Sequence, residues 1–338
     1  MTRVGFLGVG WIGRSRLQAI AADGTATVAA IADSEPAACK AALAIAPQAT
    51  IVRDLDELLG LDLDGIVIAT PSALHAEQAR AALASGVAVF CQKPLGRTRR
   101  ETRAVIEAAR RSDRLLAVDF SYRDTRAMAA VREVVRSGDL GEVYSADLVF
   151  HNAYGPDKPW FHQPALSGGG CVMDLGIHLL DLALWMFATG VVTDVSSRLF
   201  ARGRLLPPDP QVIEDHAVAQ LDVGGGRVVR IACSWNLPAG CDAVIEATFY
   251  GTAGAARFRN LNGSFYDFIA ERLDGTRSTG LVAPPDDWSG RTAVAWVRRL
   301  ASDPGFDPSI EEAGVVAGIL DRIYGRGDAG SDGDGHGG

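Results

Sequence analysis

Arg3 to Gly13 reads RVGFLGVGWIG, and the fold of the chain unfolds from this stretch. Val4–Leu7 is a short apolar run of the kind that fills a parallel strand buried on both faces. Gly8, Gly10 and Gly13 follow at once, and Ile12–Ala22 continues with helical periodicity. Gly8 permits a tight turn, Gly10 lets the backbone approach a pyrophosphate, and Gly13 allows the helix to pack closely on the strand. Phosphates would rest on the free N–H groups opening that helix, those of Trp11 and Ile12 among them. Asp33 ends the next apolar run, where an acidic group accepts hydrogen bonds from an adenosine ribose. Ser34, Glu35 and Pro36 offer no cation for a 2′-phosphate, so NAD is favoured; Arg14 and Arg16 keep NADP open.

The pattern of the opening repeats. Val28–Ala32, Gly65–Ala69, Val87–Cys91 and Leu115–Phe120 are apolar runs. Helical segments near Glu35–Ala44, Ala73–Ser85 and Arg99–Ser112 separate them. Such alternation predicts an α/β fold: a doubly wound parallel sheet, the Rossmann arrangement, over residues 1–120. After Phe120 the rhythm changes. A helix at Thr125–Ser137 and another at Val172–Phe187 are followed by period-two runs. These runs are Val192–Ala201, Glu214–Val223, Gly226–Trp235, Asp242–Tyr250, Ala255–Arg259 and Ser264–Leu273. They predict a mainly antiparallel sheet with one buried face. Helices at Ser289–Ser302 and Glu311–Tyr324 complete a second unit over 121–325, and the Gly/Asp-rich 326–338 reads as a disordered tail.

The 338 residues carry a net charge of −8, so no global basic field recruits nucleic acid or an anionic membrane. Five cysteines without zinc spacing, and no room for a signal peptide before the first strand, lead us to expect a cytoplasmic protein without a metal. HLLDLALWMFATG is interrupted by Asp181 and too short for a membrane span.

Three strand exits and one helix hold the candidate chemistry. In ATPSALHAEQA, Thr70 and Pro71 end a strand, Ser72 is placed to cap a helix, and His75 falls in its first turn. That position is a wall of the cofactor site or an incidental histidine. VAVFCQKPLG delivers Gln92, Lys93 and Pro94 to the same sheet edge. LSGGGCVMDLGIHLLDLALW sets Asp174 and His178 four apart, on one helical face, after three glycines that let the backbone pass something bulky. The pair reads as structural, as two ligands of a metal with no third in sight, or as a general base oriented by a carboxylate. Tyr122 and Arg123 at the domain junction, and Tyr154, Lys158, Trp160 and His162 in a loop leading to the glycines, are further candidates for a substrate pocket.

The glycine turn, Lys93-Pro94 and the run from Gly168 to Asp181, taken in order, resemble the Gfo/Idh/MocA family of oxidoreductases, which includes inositol and sugar dehydrogenases. TPSALHAEQ and GTAGAARF add to the likeness, which spans nearly the whole chain. It implies a Rossmann domain and a second domain whose large open sheet serves as a dimer or tetramer interface. It implies that Lys93, Asp174 and His178 line a nicotinamide site where a secondary alcohol and a ketone interconvert. There His178 would be the acid/base, Lys93 would polarise the reacting oxygen, and Asp174 would hold the histidine or a substrate hydroxyl. A cis Lys93–Pro94 bond is implied as well. Some family members cleave glycosidic bonds through transient oxidation, and a dinucleotide-binding sensor without turnover is a third possibility. Gln92 stands where the family usually has glutamate, removing a partner that would keep the lysine charged.

Overall fold

The computed structural model describes residues 1–187 and 191–326; the expected tail lies outside the described residues from Gly327 on. Six strands form the first sheet: β1 (Thr2–Leu7), β2 (Ala26–Ala32), β3 (Thr50–Ile51), β4 (Gly65–Ile68), β5 (Ala88–Cys91) and β6 (Leu116–Val118). All pair in parallel, in the order β3-β2-β1-β4-β5-β6. β4 and β5 are buried at every position, which is why they read as unbroken apolar runs. Helices α1 (Trp11–Asp23), α2 (Pro36–Leu43), α3 (Leu55–Leu59), α4 (Ser72–Ala84) and α5 (Arg99–Ser112) connect these strands. The strand order reverses between β1 and β4, so a crevice opens at their carboxyl ends, where α1 and α4 begin.

The second half runs α6 (Arg126–Ser137), β7 (Val143–Asn152), α7 (Pro164–Ser167), a π-helical turn (Val172–Gly176) and α8 (Ile177–Phe187). Then come β8 (Val192–Ala201), β9 (Arg204–Leu205), β10 (His216–Val223), β11 (Arg227–Ser234), β12 (Ala243–Gly251), β13 (Gly254–Asn260), β14 (Phe268–Asp274) and β15 (Arg277–Val282). Helices α9 (Arg291–Ser302) and α10 (Glu311–Tyr324) close the chain. The nine strands lie in the order β15-β14-β13-β12-β7-β11-β10-β8-β9. The sheet is antiparallel except at its centre, where β7 pairs with β11 in parallel, Leu148 opposite Ile231. Along β10, Ala217, Ala219, Leu221 and Val223 point inward while Val218, Gln220 and Asp222 face out.

Three features depart from the sequence expectation. The elements β3, α3, β7, α7, β9 and β15 lie outside the expected runs; β3, α3, α7 and β9 are too short for a period, and β15 is exposed at nearly every position. Helix α9, expected in the second unit, returns to the first: Trp296, Val297 and Leu300 share a core with Val4, Phe6 and Phe90. Arg326, expected in the tail, is held by the Gly168 carbonyl at 2.6 Å.

Pro164–Phe187 is long and apolar enough to cross a membrane by composition, contrary to the sequence estimate. Its most apolar window is 83% buried within the protein, so its apolarity is that of a core helix, packed against α10 and β7.

Candidate active site

The carboxyl edge of the first sheet faces the second across a cavity of about 590 Å³. Gly8 takes a left-handed φ of 87°, and Gly13 packs against its carbonyl. A Cβ on Gly10 would meet nothing within 4 Å, and α1 begins without a side-chain cap. The N–H groups there face an open cradle of the kind an anionic pyrophosphate fills, so the turn fits a dinucleotide. Asp33 braces that turn, accepting from the Val9 N–H at 2.7 Å and the Glu35 N–H at 2.9 Å; Ser34 beside it is exposed.

Gly10, Trp11, Ile12, Thr70, Pro71, His75, Gln92 and Lys93 all line the cavity. The N-cap of α4 is Pro71, and Ser72 is buried in the first turn without a capping bond, so the expected serine cap is absent. His75 instead does the tying. Its Nδ1 lies 2.8 Å from the Pro94 carbonyl and its Nε2 2.6 Å from that of Thr70. It thus bridges two strand exits, and burial pushes its pKa down against these carbonyls.

Lys93, Asp174, His178 and Tyr122 meet in this cavity. The Lys93–Pro94 bond is cis. Lys93 Nζ donates to Asp174 Oδ1 and to the Asp174 carbonyl, both at 2.7 Å. Trp235 Nε1 donates to the other carboxylate oxygen at 3.2 Å. Asp174 therefore orients the lysine. Of the two roles the resemblance implied for Asp174, a bond to His178 is not made: Asp174 sits in the π-wound turn, whose wider winding departs from the i, i+4 register that spacing suggested. His178 packs edge-on to Tyr122 at 4.9 Å, and its Nδ1 is buried without a partner among the described residues. Its pKa falls well below 6.5, first through burial, then through the charges of Lys93 and Arg16. The ring is neutral at pH 7.

Gln92 finds a carboxylate across the strand end. Its amide donates to Asp119 Oδ2, which also accepts from Arg16 Nε at 2.6 Å. All three side chains are buried. Arg16 is thereby committed to Asp119, which leaves it unavailable to a 2′-phosphate.

The three glycines before the helix answer to protein rather than ligand. A Cβ on Gly169 would collide with the Tyr324 ring, and one on Gly170 with the Glu214 carbonyl. Buried Glu214 accepts from the Gly170 N–H at 2.9 Å, the Val172 N–H at 3.0 Å and the Tyr324 hydroxyl at 2.8 Å. The Tyr324 hydroxyl in turn accepts from the Met173 N–H at 3.1 Å. One carboxylate thus anchors the turn that carries Asp174.

Three sequence candidates fall elsewhere. Arg123 forms a bidentate pair with buried Asp181 at 2.6 and 2.8 Å and reaches Glu312 at 2.9 Å. Burial pushes the Asp181 carboxyl up to about 6, with Arg123 opposing. Tyr154 is exposed beside Phe265, and exposed His162 bonds the Pro156 carbonyl; neither lines the cavity. Trp160 and Lys158 do. Residues the sequence reading missed are Arg16 and Asp119 as a buried pair, and Phe161, Tyr266 and Trp288 as walls. Nothing local marks them, since Arg16 comes from α1, Asp119 from the end of β6, and Phe161, Tyr266 and Trp288 from three separate connections.

A dinucleotide cradle, and a histidine beside a lysine–carboxylate pair, facing one cavity, fit a nicotinamide-dependent oxidoreductase. Residues 2–120 match the model of an oxidoreductase family with an NAD-binding Rossmann fold, and 128–257 match the GFO/IDH/MocA C-terminal domain. The chain belongs to the Gfo/Idh/MocA family of NAD(P)-dependent oxidoreductases. Among its relatives, D-glucoside 3-dehydrogenase of Escherichia coli (strain K12) is 26% identical over 283 residues, 79% of this chain and 78% of the relative. Inositol 2-dehydrogenase of Rhizobium meliloti (strain 1021) is 26% identical, covering 93% and 90%. Levoglucosan dehydrogenase in complex with NADH shares the fold at a TM-score of 0.82 and 23% identity, with 96% of each chain covered. A 3-ketoreductase from Actinomadura kijaniata in complex with NADP does so at 0.80 and 21%, covering 95% and 96%.

Proposed function

We propose that this enzyme interconverts a secondary alcohol and a ketone on a sugar or polyol, using NAD in preference to NADP. One observation carries the reading: neutral His178 and the Lys93–Asp174 pair line the same cavity as the glycine-turn edge. Bound NAD supplies the hydride acceptor at its nicotinamide ring. The protein's task is then the proton and the oxygen. His178, unprotonated, takes the hydroxyl proton as the C–H bond breaks and returns it in the reductive direction. An ammonium has three donors, and Asp174 uses two of Lys93's; the third is left for the substrate oxygen. That bond strengthens as alkoxide charge develops. Asp33, with no cation at Ser34, Glu35 or Pro36, favours a free ribose 2′-hydroxyl.

The test is a panel of polyols and sugars read at the NADH absorbance band, with NAD and NADP in parallel. Reduction of NAD by at least one polyol or sugar is expected. Cofactor binding without turnover would support the sensor, and aglycone release without net NADH the glycosidase. His178→Ala is expected to lower kcat by a factor of at least ~10² while leaving NAD affinity within about twofold. Equal loss of both would make the residue structural.

We also propose a homodimer or homotetramer built on the outer face of the nine-stranded sheet. That face holds a shallow groove of about 610 Å³ flanked by Asp147, Arg198, Gln220 and Arg230. Sedimentation at micromolar concentration tests it; a monomer would end the proposal.

A further inference from the structure

Two aromatic walls lead outward from the reacting centre. On one side Tyr122, beside His178, lies 5.3 Å from Trp288, which lies 6.4 Å from Tyr266. Tyr266 ends the series 52% exposed. On the other side Trp235, the partner of Asp174, backs Phe161 at 6.3 Å, and Phe161 stacks on Trp160 at 3.8 Å. All but Trp235 line the cavity. Tyr266 is the half-exposed tyrosine that also lines the cavity, so part of its ring is open to a ligand there. A ligand face would use it.

The charges of the same cavity cancel in pairs. Arg16 faces Asp119 at 2.6 Å, Lys93 faces Asp174 at 2.7 Å, and Lys158 lies 3.5 Å from Asp157. These are all the charged side chains of the lining, so among the described residues it offers no surplus cation. A substrate bearing a diphosphate or carboxylate would meet a lining of zero net charge, each cation already beside a carboxylate. A neutral sugar gains hydrogen bonds from the inner groups, and an apolar ring attached to it gains contact with the outer aromatic ones.

Resting on the function proposed above, we infer that the substrate is an uncharged glycoside, with its sugar at His178 and an apolar ring aglycone against Tyr266 and Trp160. The sugar is the oxidised part; the aglycone is bound and unchanged.

The experiment compares phenyl and methyl glycosides of glucose, galactose and mannose, with the free sugars and UDP-glucose alongside, on the NAD-loaded enzyme. For the glycosides turned over, kcat/KM for the phenyl form is expected to exceed that for the methyl form by about tenfold. Tyr266→Ala and Trp160→Ala should each shrink that phenyl-to-methyl ratio severalfold. Tyr266→Phe should keep it, which separates ring contact from any loss of fold. A ratio near one, a ratio untouched by both alanine variants, or a preference for UDP-glucose would overturn the inference while leaving the dehydrogenase reading in place. Absence of NADH from every sugar and glycoside would remove that reading, and this inference with it.

Discussion

Gln92, where the resemblance implies a glutamate, is buried at a strand end beside a carboxylate. Asp119, at the end of the neighbouring strand, bonds the Gln92 amide and balances Arg16. A Gln92→Glu enzyme would press two carboxylates together in a buried site with one guanidinium to share. It should lose about 3 kcal/mol of stability. Adding Asp119→Asn should restore most of it, because the pair again carries one negative charge; denaturant unfolding of the four proteins in the cycle measures the coupling. His178 makes a second prediction. Its folded pKa lies below 6.5, so between that value and 6.5 the unfolded chain takes up a proton the folded one refuses. Its share of stability is therefore full above pH 6.5 and is lost as pH falls through the folded pKa; His178→Phe should flatten that acid limb of the melting temperature. For catalysis, kcat/KM in the oxidising direction should stay level down to pH 6.5 and fall only below it. A limb centred above 6.5 would contradict the assignment of His178 as base.

The decisive element is the segment from Gly168 to Phe187. Its spacing of Asp174 and His178 was legible in the sequence as one helical face, yet the π-wound turn at Val172–Gly176 sends Asp174 to Lys93 and Trp235 instead. Sequence periodicity assumes regular winding, and a single irregular turn defeats it. Glu214 holds that turn in place from another strand's approach, over forty positions along the chain. Gly170→Ala would drive a methyl group into the Glu214 backbone and should cost about 2 kcal/mol or more. Glu214→Ala would strand two buried N–H groups and the Tyr324 hydroxyl, at about 3 kcal/mol or more. Both should lower kcat more than they weaken NAD binding, because the displaced group is Asp174 and not the glycine turn. Stopped-flow hydride transfer alongside NAD titration would separate the two effects.

At the scale of the molecule, the two halves are stapled by the return of α9. Trp296 fills the space beneath Gly65 in the first sheet although it follows the second sheet in the chain. Trp296→Ala should cost about 3–5 kcal/mol and lower the denaturant midpoint of the NAD-binding half. A midpoint unchanged within error would mean that the helix merely rests on that surface. By itself the sequence determined the Rossmann sheet, the glycine turn with its acidic partner, and the presence of Lys93, Asp174 and His178, because each is written in a local period or a fixed spacing. Tertiary structure alone decided that Asp174 pairs with the lysine, that Gln92 and Arg16 share Asp119, and that Arg123 pairs with Asp181. It also gathered the aromatic walls around the site. These are contacts between residues far apart in the chain, and side-chain pairing across a sheet edge follows the packing of whole layers, which no local pattern encodes.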